Sequence, residues 1–201
     1  MTLEPFGDSA WRVPLATCPD PRALLDALRS IPHVVDAVVA EEHALVAFDA
    51  TCPPSREDVD AAVGRALGPV TRALGAEHTV PVRYDGPDLE EVARETRMTV
   101  HEVVVLHAAS TYVVATIGFL PGFAYLRGLD ARLVLPRRSS PRARVAALAV
   151  GIAGPYAGIY PFASPGGWHL LGTAVGFTPF DARTGATLAL GDRVRFVPAP
   201  P

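Results

Sequence analysis

The chain has 201 residues, 49% of them hydrophobic and 19% charged, which supports a substantial folded core and argues against a disordered chain. All 18 basic residues are arginine, so a P-loop lysine, a Schiff-base lysine and a biotin-bearing lysine are excluded. The net charge of −3 conceals a division: residues 1–100 hold nine arginines against seventeen acids, whereas residues 101–201 hold nine arginines against four. That basic second half suits an anion or an acidic partner, while the acidic total and the lack of any nucleic-acid motif exclude DNA and RNA.

In chain order, Ser9–Leu15 suits a strand. Asp20-Pro21 reads as a helix cap followed by proline at the first helical position, with Leu24, Leu25, Leu28 and Ile31 following at helical spacing. Val34–Ala40 and Ala44–Asp49 read as a hairpin around Glu41-Glu42-His43. Ser55 opens a second helix with Val59, Ala62, Val63, Ala66 and Leu67 on one face, ending at Gly68, and a further strand is expected between Val70 and Tyr84. This β-α-β-β-α-β order predicts a small ferredoxin-like domain over residues 1–80.

From Pro87 to Arg97 a short helix is expected, with Asp88, Glu90 and Glu91 in its first turn to complement the helix dipole. Thr99-Val-His-Glu102 has capping-box spacing for another, with Val100, Val103, Val104 and His107 on one face. Beyond Thr111 short strands, turns and glycines continue to Val197, which predicts a closed β-barrel over residues 81–201, and so an α+β chain. The Pro-Ala-Pro-Pro end is expected to fray. No apolar run approaches the roughly 20 residues that span a bilayer, and Met1–Trp11 lacks the basic and apolar blocks of a secretory signal. Cys18 and Cys52 lack CxxC spacing and read as reduced thiols. A cytoplasmic protein without membrane contact is expected.

The candidate chemistry concentrates between Ile117 and Trp168, part of a stretch in which ten of the seventeen glycines fall between Gly118 and Gly176. Gly118-Phe119-Leu120-Pro121-Gly122-Phe123 can turn sharply while offering aromatic faces and backbone amides to an anion. The alternative is a rigid hairpin with core phenylalanines; Tyr125 fits either reading. Arg137, Arg138, Arg142 and Arg144 lie within eight residues, and arginine forks hold carboxylates and phosphates at two points, although such clusters also decorate surfaces. Ser164-Pro-Gly-Gly-Trp168 could wall a pocket for a small flat ring or form a tight turn around a core tryptophan; no Gly-x-Ser-x-Gly elbow marks the serine as a nucleophile. His107 is a candidate proton donor or acceptor, or else a core histidine. No histidine pair has zinc spacing, and no metal bound directly by the protein is expected.

These motifs carry a resemblance. Gly118-Phe-Leu-Pro-Gly-Phe-Ala-Tyr-Leu126, Pro136-Arg-Arg138, Pro141-Arg142, Gly151-Ile-Ala-Gly154, Gly158-Ile-Tyr-Pro161 and Ser164-Pro-Gly-Gly-Trp168 are similar to the KipI/PxpB family, with weaker likeness at Gly7-Asp8-Ser9 and Gly191-Asp192-Arg193-Val194. The chain departs from that pattern at Ala146–Val150, where the family has Pro-Ala-Gly-Ser-Val, and at Tyr156-Ala157, where it has Gln-Thr. Thr173 replaces an arginine, and Tyr84-Asp-Gly-Pro87 shortens a glycine-rich segment. Polar groups are lost at these positions.

The resemblance implies a cyclophilin-like barrel of the carboxyltransferase type. It further implies the PxpB-like component of an ATP-dependent 5-oxoprolinase, opening the lactam of 5-oxoproline to glutamate with PxpC-like and PxpA-like partners and ATP accompanied by Mg. A KipI-like inhibitor of a histidine kinase and a carboxyltransferase part of a urea amidolyase or allophanate hydrolase system are the alternatives. On this reading His107 handles protons or polarises the carbonyl, and Arg138 and Arg142 clamp the anionic substrate. Phe119, Pro121, Gly122, Phe123, Tyr125, Arg137, Gly154, Tyr160, Ser164, Gly166, Gly167 and Trp168 would bind substrate or nucleotide.

Overall fold

The computed structural model describes residues 3–15, 18, 20–66 and 75–200. The chain divides into two units, Met1–Leu74 and Gly75–Pro201.

In the first unit, β1 (Glu4–Pro5) and β2 (Ala10–Pro14) precede α1 (Pro21–Arg29), β3 (Val34–Val39), β4 (His43–Phe48) and α2 (Arg56–Ala66). The start of α1 follows from the sequence: Asp20 accepts a hydrogen bond from the Ala23 amide at 2.8 Å, and Pro21 occupies a position that needs no donor. Ser55 Oγ likewise accepts from the Asp58 amide at 3.0 Å where α2 begins. Leu24 and Leu28 of α1, Val59, Ala62 and Val63 of α2, and Val13 and Val46 of the sheet are buried together in this unit's core.

The sheet order is β1-β2-β4-β3, all antiparallel. The ferredoxin-like expectation needed a last strand after α2 from the Val70–Tyr84 stretch. Its described part, β5 (Glu77–Arg83), belongs to the second unit; the edge beside β2 is taken instead by the N-terminal β1. Leu67, Gly68 and the start of that expected strand lie outside the described residues. The division therefore falls before β5 and not at residue 80. The physical reason is pairing: β5 finds a parallel partner in the chain's last strand, over a register running from Glu77↔Arg193 to Val82↔Pro198.

The second unit continues with α3 (Leu89–Thr96), α4 (Val100–Ala109), β6 (Tyr112–Ile117), β7 (Ala124–Arg127) and a 3-10 turn at Ala131–Leu133. Then come β8 (Arg142–Val145), β9 (Ala149–Ala153), β10 (Tyr156–Ile159), β11 (Ser164–Gly166), β12 (His169–Ala174), β13 (Phe180–Asp181), β14 (Gly185–Ala186) and β15 (Arg193–Pro198). Seven strands close into a barrel in the order β10-β7-β6-β15-β5-β12-β9, flanked by the two-stranded pairs β11-β8 and β13-β14. Closure leaves no free sheet edge in the barrel.

Val80, Val82, Val114, Leu126, Val194 and Phe196 are buried at alternate positions of their strands, as a barrel with a filled interior requires, whereas β9 is buried along its whole length. The capping box at Thr99 and Glu102 is present and starts α4 where the sequence places it. The expected frayed end is not free before Pro201: Pro198 is paired in β15, and the Ala199 amide donates to the Val82 carbonyl at 2.8 Å. Among the described residues no helix is long and apolar enough to cross a membrane.

Candidate functional site

Three segments of the second unit converge on one cavity of about 330 Å³. Phe119, Phe123 and Tyr125 come from the β6–β7 hairpin; Arg137, Arg138 and Pro141 come from the segment before β8. Tyr160 follows β10, and Pro165, Gly166, Gly167 and Trp168 lead from β11 into β12. The Arg138 amide donates to the Gly167 carbonyl at 2.8 Å and fastens the second segment to the third.

Phe123 is the centre of an edge-to-face cluster, with ring centroids 5.1 Å from Tyr125, 5.3 Å from Tyr160 and 5.3 Å from Trp168. Such edge-on contacts fix ring orientation as well as burying area. Phe119 stands at 60% exposure with a φ of +73°, edge-on to Phe123 at 5.5 Å. Two glycines permit this packing. A Cβ on Gly158 would lie 3.0 Å from Trp168 Cζ3 and 3.1 Å from Phe123 Cζ, and one on Gly166 would lie 2.4 Å from the Tyr160 hydroxyl oxygen. Burial raises the Tyr160 pKa, so its phenol stays protonated and can donate.

The arginines divide into two kinds. Arg138 Nη1 donates to Asp88 Oδ1 at 3.0 Å and also to Glu91, while Arg142 Nη2 donates to the same Asp88 Oδ1 at 2.5 Å. Asp88 is only 2% exposed, and its other oxygen accepts from the Leu170 amide at 2.7 Å. The Glu91 hydrogen bond raises the Arg138 pKa above the ordinary arginine value; desolvation opposes this and the Asp88 charge adds to it. Arg137 lines the cavity, is exposed, and pairs with no carboxylate among the described residues.

Arg138 and Arg142, expected to clamp a substrate, are thus each held through one nitrogen by protein carboxylates, while Arg138 Nε and Arg142 Nη1 are buried without a hydrogen-bond partner among the described residues; Arg142 does not line the cavity. His169 completes this corner: Nε2 donates to the Pro136 carbonyl at 3.0 Å, while its buried Nδ1 has no protein partner among the described residues.

His107 is a core residue. It is fully buried, stacks on Phe196 with centroids 4.6 Å apart, and is hydrogen-bonded through Nδ1 to the Tyr84 hydroxyl at 2.8 Å. Desolvation pushes its pKa down to about 3, so the ring is neutral at physiological pH. It is not among the residues that line this cavity, where a substrate contact was expected of it. The helical face containing His107 was legible in the sequence; its depth was not.

Pro121 and Gly122 shape the turn closed by the Gly118 amide and the Phe123 carbonyl at 3.1 Å, without lining the cavity. Gly154 sits in the β9–β10 turn with φ +54°, and Ser164 Oγ is spent on the Pro165 carbonyl at 3.2 Å. Among the expected residues, Phe119, Phe123, Tyr125, Arg137, Arg138, Tyr160, Gly166, Gly167 and Trp168 come together. Pro165 lines the cavity as part of the expected Ser164–Trp168 wall, whereas Pro141 in the lining and Asp88 and Glu91 behind Arg138 were not anticipated. The signal for the two acids was the arginine cluster itself, which needs counter-charge when partly buried.

None of the departures from the KipI/PxpB pattern lines the cavity, although Ala149 and Tyr156 pack with its aromatic cluster. Leu148 has φ +65° at the third position of the Ala146–Ala149 turn, a place that favours glycine. Tyr156 packs edge-on against Tyr125 at 5.6 Å and lies under the Arg127 guanidinium at 5.8 Å. Thr173 Oγ1 donates to Asp85 at 3.0 Å. Among the described residues no three His, Cys, Asp or Glu side chains group as a metal site.

Residues 1–188 match the family model described as "Carboxyltransferase domain, subdomain C and D". The chain is similar to the B-type 5-oxoprolinase subunit of Escherichia coli O157:H7, at 44% identity over 66% of this chain and 61% of that one. It is also similar to the B-type 5-oxoprolinase subunit of Bacillus subtilis (strain 168), at 43% identity over 59% of this chain and 51% of that one. It thus matches little more than half the length of these relatives.

Among solved structures, TTHA0988 superposes with a TM-score of 0.82 at 37% identity, over 96% of this chain and 40% of that one. The urea amidolyase of K. lactis shares the fold at 17% identity with a TM-score of 0.75, over 98% of this chain and 15% of that one. The chain belongs to the family of carboxyltransferase domains, subdomains C and D, in agreement with the KipI/PxpB likeness of its motifs.

Proposed function

We propose that this chain is the cavity-bearing, PxpB-like component of a 5-oxoprolinase-like complex, in which the lactam of 5-oxoproline is opened to glutamate with hydrolysis of ATP. One observation carries the reading: an aromatic-walled cavity of about 330 Å³ in which Arg137 is the lining guanidinium not committed to a protein carboxylate among the described residues. A compact ring bearing one carboxylate matches that lining in size, shape and charge. The ring packs against Tyr160, Trp168 and Phe123, and Arg137 takes the carboxylate.

A lactam is a poor electrophile with a poor leaving group. Transfer of the γ-phosphoryl group of ATP to its oxygen, with release of ADP, would activate the ring carbon. One water adds there, the ring nitrogen takes a proton as the C–N bond breaks to leave an acyl phosphate, and a second water releases phosphate and glutamate. His107 takes no part in these proton transfers; the Tyr160 hydroxyl and the Arg137 guanidinium are the polar side chains at hand. A triphosphate with its Mg does not match a cavity whose lining offers one guanidinium free of carboxylates among the described residues, and we assign ATP to the companion proteins. These are PxpC-like and PxpA-like, in line with the naming of the relatives as subunits. A KipI-like inhibitor docking on a kinase needs no such cavity.

Co-expression with the neighbouring subunits, purification of the complex and an ATPase assay test the proposal. ATP turnover that depends on 5-oxoproline supports it. A stable stoichiometric complex that hydrolyses ATP at the same rate with and without 5-oxoproline ends it.

A further inference from the structure

Arg138 lies in the wall of the cavity with its charge already matched by protein carboxylates through Nη1, while its buried Nε has no hydrogen-bond partner among the described residues. One of its nitrogens faces both Asp88 and Glu91, two carboxylates contributed by the start of α3. The Asp88 side chain is 3% exposed and shared with Arg142, so it is a structural fixture. Glu91 is different: its side chain is 33% exposed, and Arg138 is the partner of its carboxylate among the described residues. Neither acid lines the cavity itself, but a carboxylate paired with a guanidinium in the wall cancels the positive charge that would attract a ligand's second negative charge.

We propose that Glu91, together with Asp88, is a specificity determinant: by masking Arg138 it leaves Arg137 as the lining cation without a carboxylate partner among the described residues, so that the site takes ligands with a single carboxylate and discriminates against dicarboxylates. The inference rests on the proposed function insofar as it takes this cavity as the ligand site. There it gives the masking a use. Ring opening turns a compact monocarboxylate into a dicarboxylate, and a site with Arg138 unmasked would hold that product by two points.

Trp168 reports on the cavity directly. With Trp11→Phe to silence the tryptophan of the other unit, fluorescence titrations of the full chain with its partner subunit compare 5-oxoproline with glutarate, a dicarboxylate of similar size. The ratio of glutarate to 5-oxoproline affinity is expected to rise about fivefold in Glu91→Gln, the scale of one partly exposed ion pair. It should stay near the starting value in Glu91→Asp, which keeps the charge.

An unchanged ratio in a Glu91→Gln protein that melts normally overturns the masking. A rise in glutarate affinity without any response to 5-oxoproline would keep the masking and remove the proposed function. No response to either ligand in any of these proteins overturns both.

Discussion

The carboxylate of Asp88 accepts a hydrogen bond from the Leu170 amide at 2.7 Å, across 82 residues of sequence. That contact joins the beginning of α3 to β12 immediately after Trp168, while the other carboxylate oxygen holds Arg138 and Arg142. One buried side chain thus ties together the helix start, the arginine segment and the strand that follows the aromatic wall.

Removing that side chain should loosen all three. Asp88→Ala leaves the partly buried Arg142 guanidinium without its carboxylate, Arg138 with Glu91 alone and the Leu170 amide without its acceptor, and is expected to cost about 3 kcal/mol of stability. The midpoint of urea denaturation measures this, and a loss near zero would show that solvent replaces Asp88 without difficulty.

Arg137 is the residue whose loss should affect ligand before fold. It is exposed and holds no carboxylate among the described residues, so Arg137→Leu should leave the melting temperature nearly unchanged. It should weaken 5-oxoproline binding about tenfold, the scale of one charge-assisted contact. Calorimetric titration beside a thermal melt separates the two effects. Equal affinity in the variant would remove Arg137 from the site.

Stability should fall with acid through His107. Its folded pKa of about 3 lies below the ordinary 6.5, so the unfolded chain binds the extra proton first. The contribution is fully present above pH 6.5 and is lost progressively as pH falls toward 3, by up to about 1.4 kcal/mol per pH unit. Denaturation midpoints across that window should fall less steeply in His107→Gln than in the parent. Parallel slopes would show that the buried imidazole is not the cause.

Leu148 carries a strain that glycine would relieve. At φ +65° a leucine costs roughly 1–2 kcal/mol relative to an unstrained backbone. Part of the relief is offset by lost side-chain packing, so Leu148→Gly is expected to raise stability by about 0.5–1 kcal/mol. A lower midpoint in the variant would mean that the leucine side chain contributes more than its backbone costs.

What the sequence made legible was local or chemically loud. Asp20-Pro21 and the Thr99–Glu102 box announce their helices because the capping groups lie within four residues of each other. The run of glycine, proline and aromatics from Gly118 to Trp168 marks the cavity because few other needs bring those residue types together. What it hid depends on distant partners. The strand at Glu77–Arg83 looks the same whether it closes a ferredoxin-like sheet or joins a barrel; only its pairing with Arg193–Pro198 decides. Asp88 reads as an ordinary first-turn acid, and nothing nearby in sequence reveals that its partner Arg138 lies 50 residues on. Those acids also reverse the expected job of Arg138 and Arg142, which hold the wall together instead of gripping a ligand.

Whether 5-oxoproline sits in this cavity is decided most directly by a crystal structure of the complex grown with that compound. Ligand density is expected against the exposed edges of Tyr160 and Trp168, with the carboxylate within hydrogen-bonding distance of Arg137. Density for 5-oxoproline elsewhere in the complex, with this cavity holding only water, would contradict the assignment.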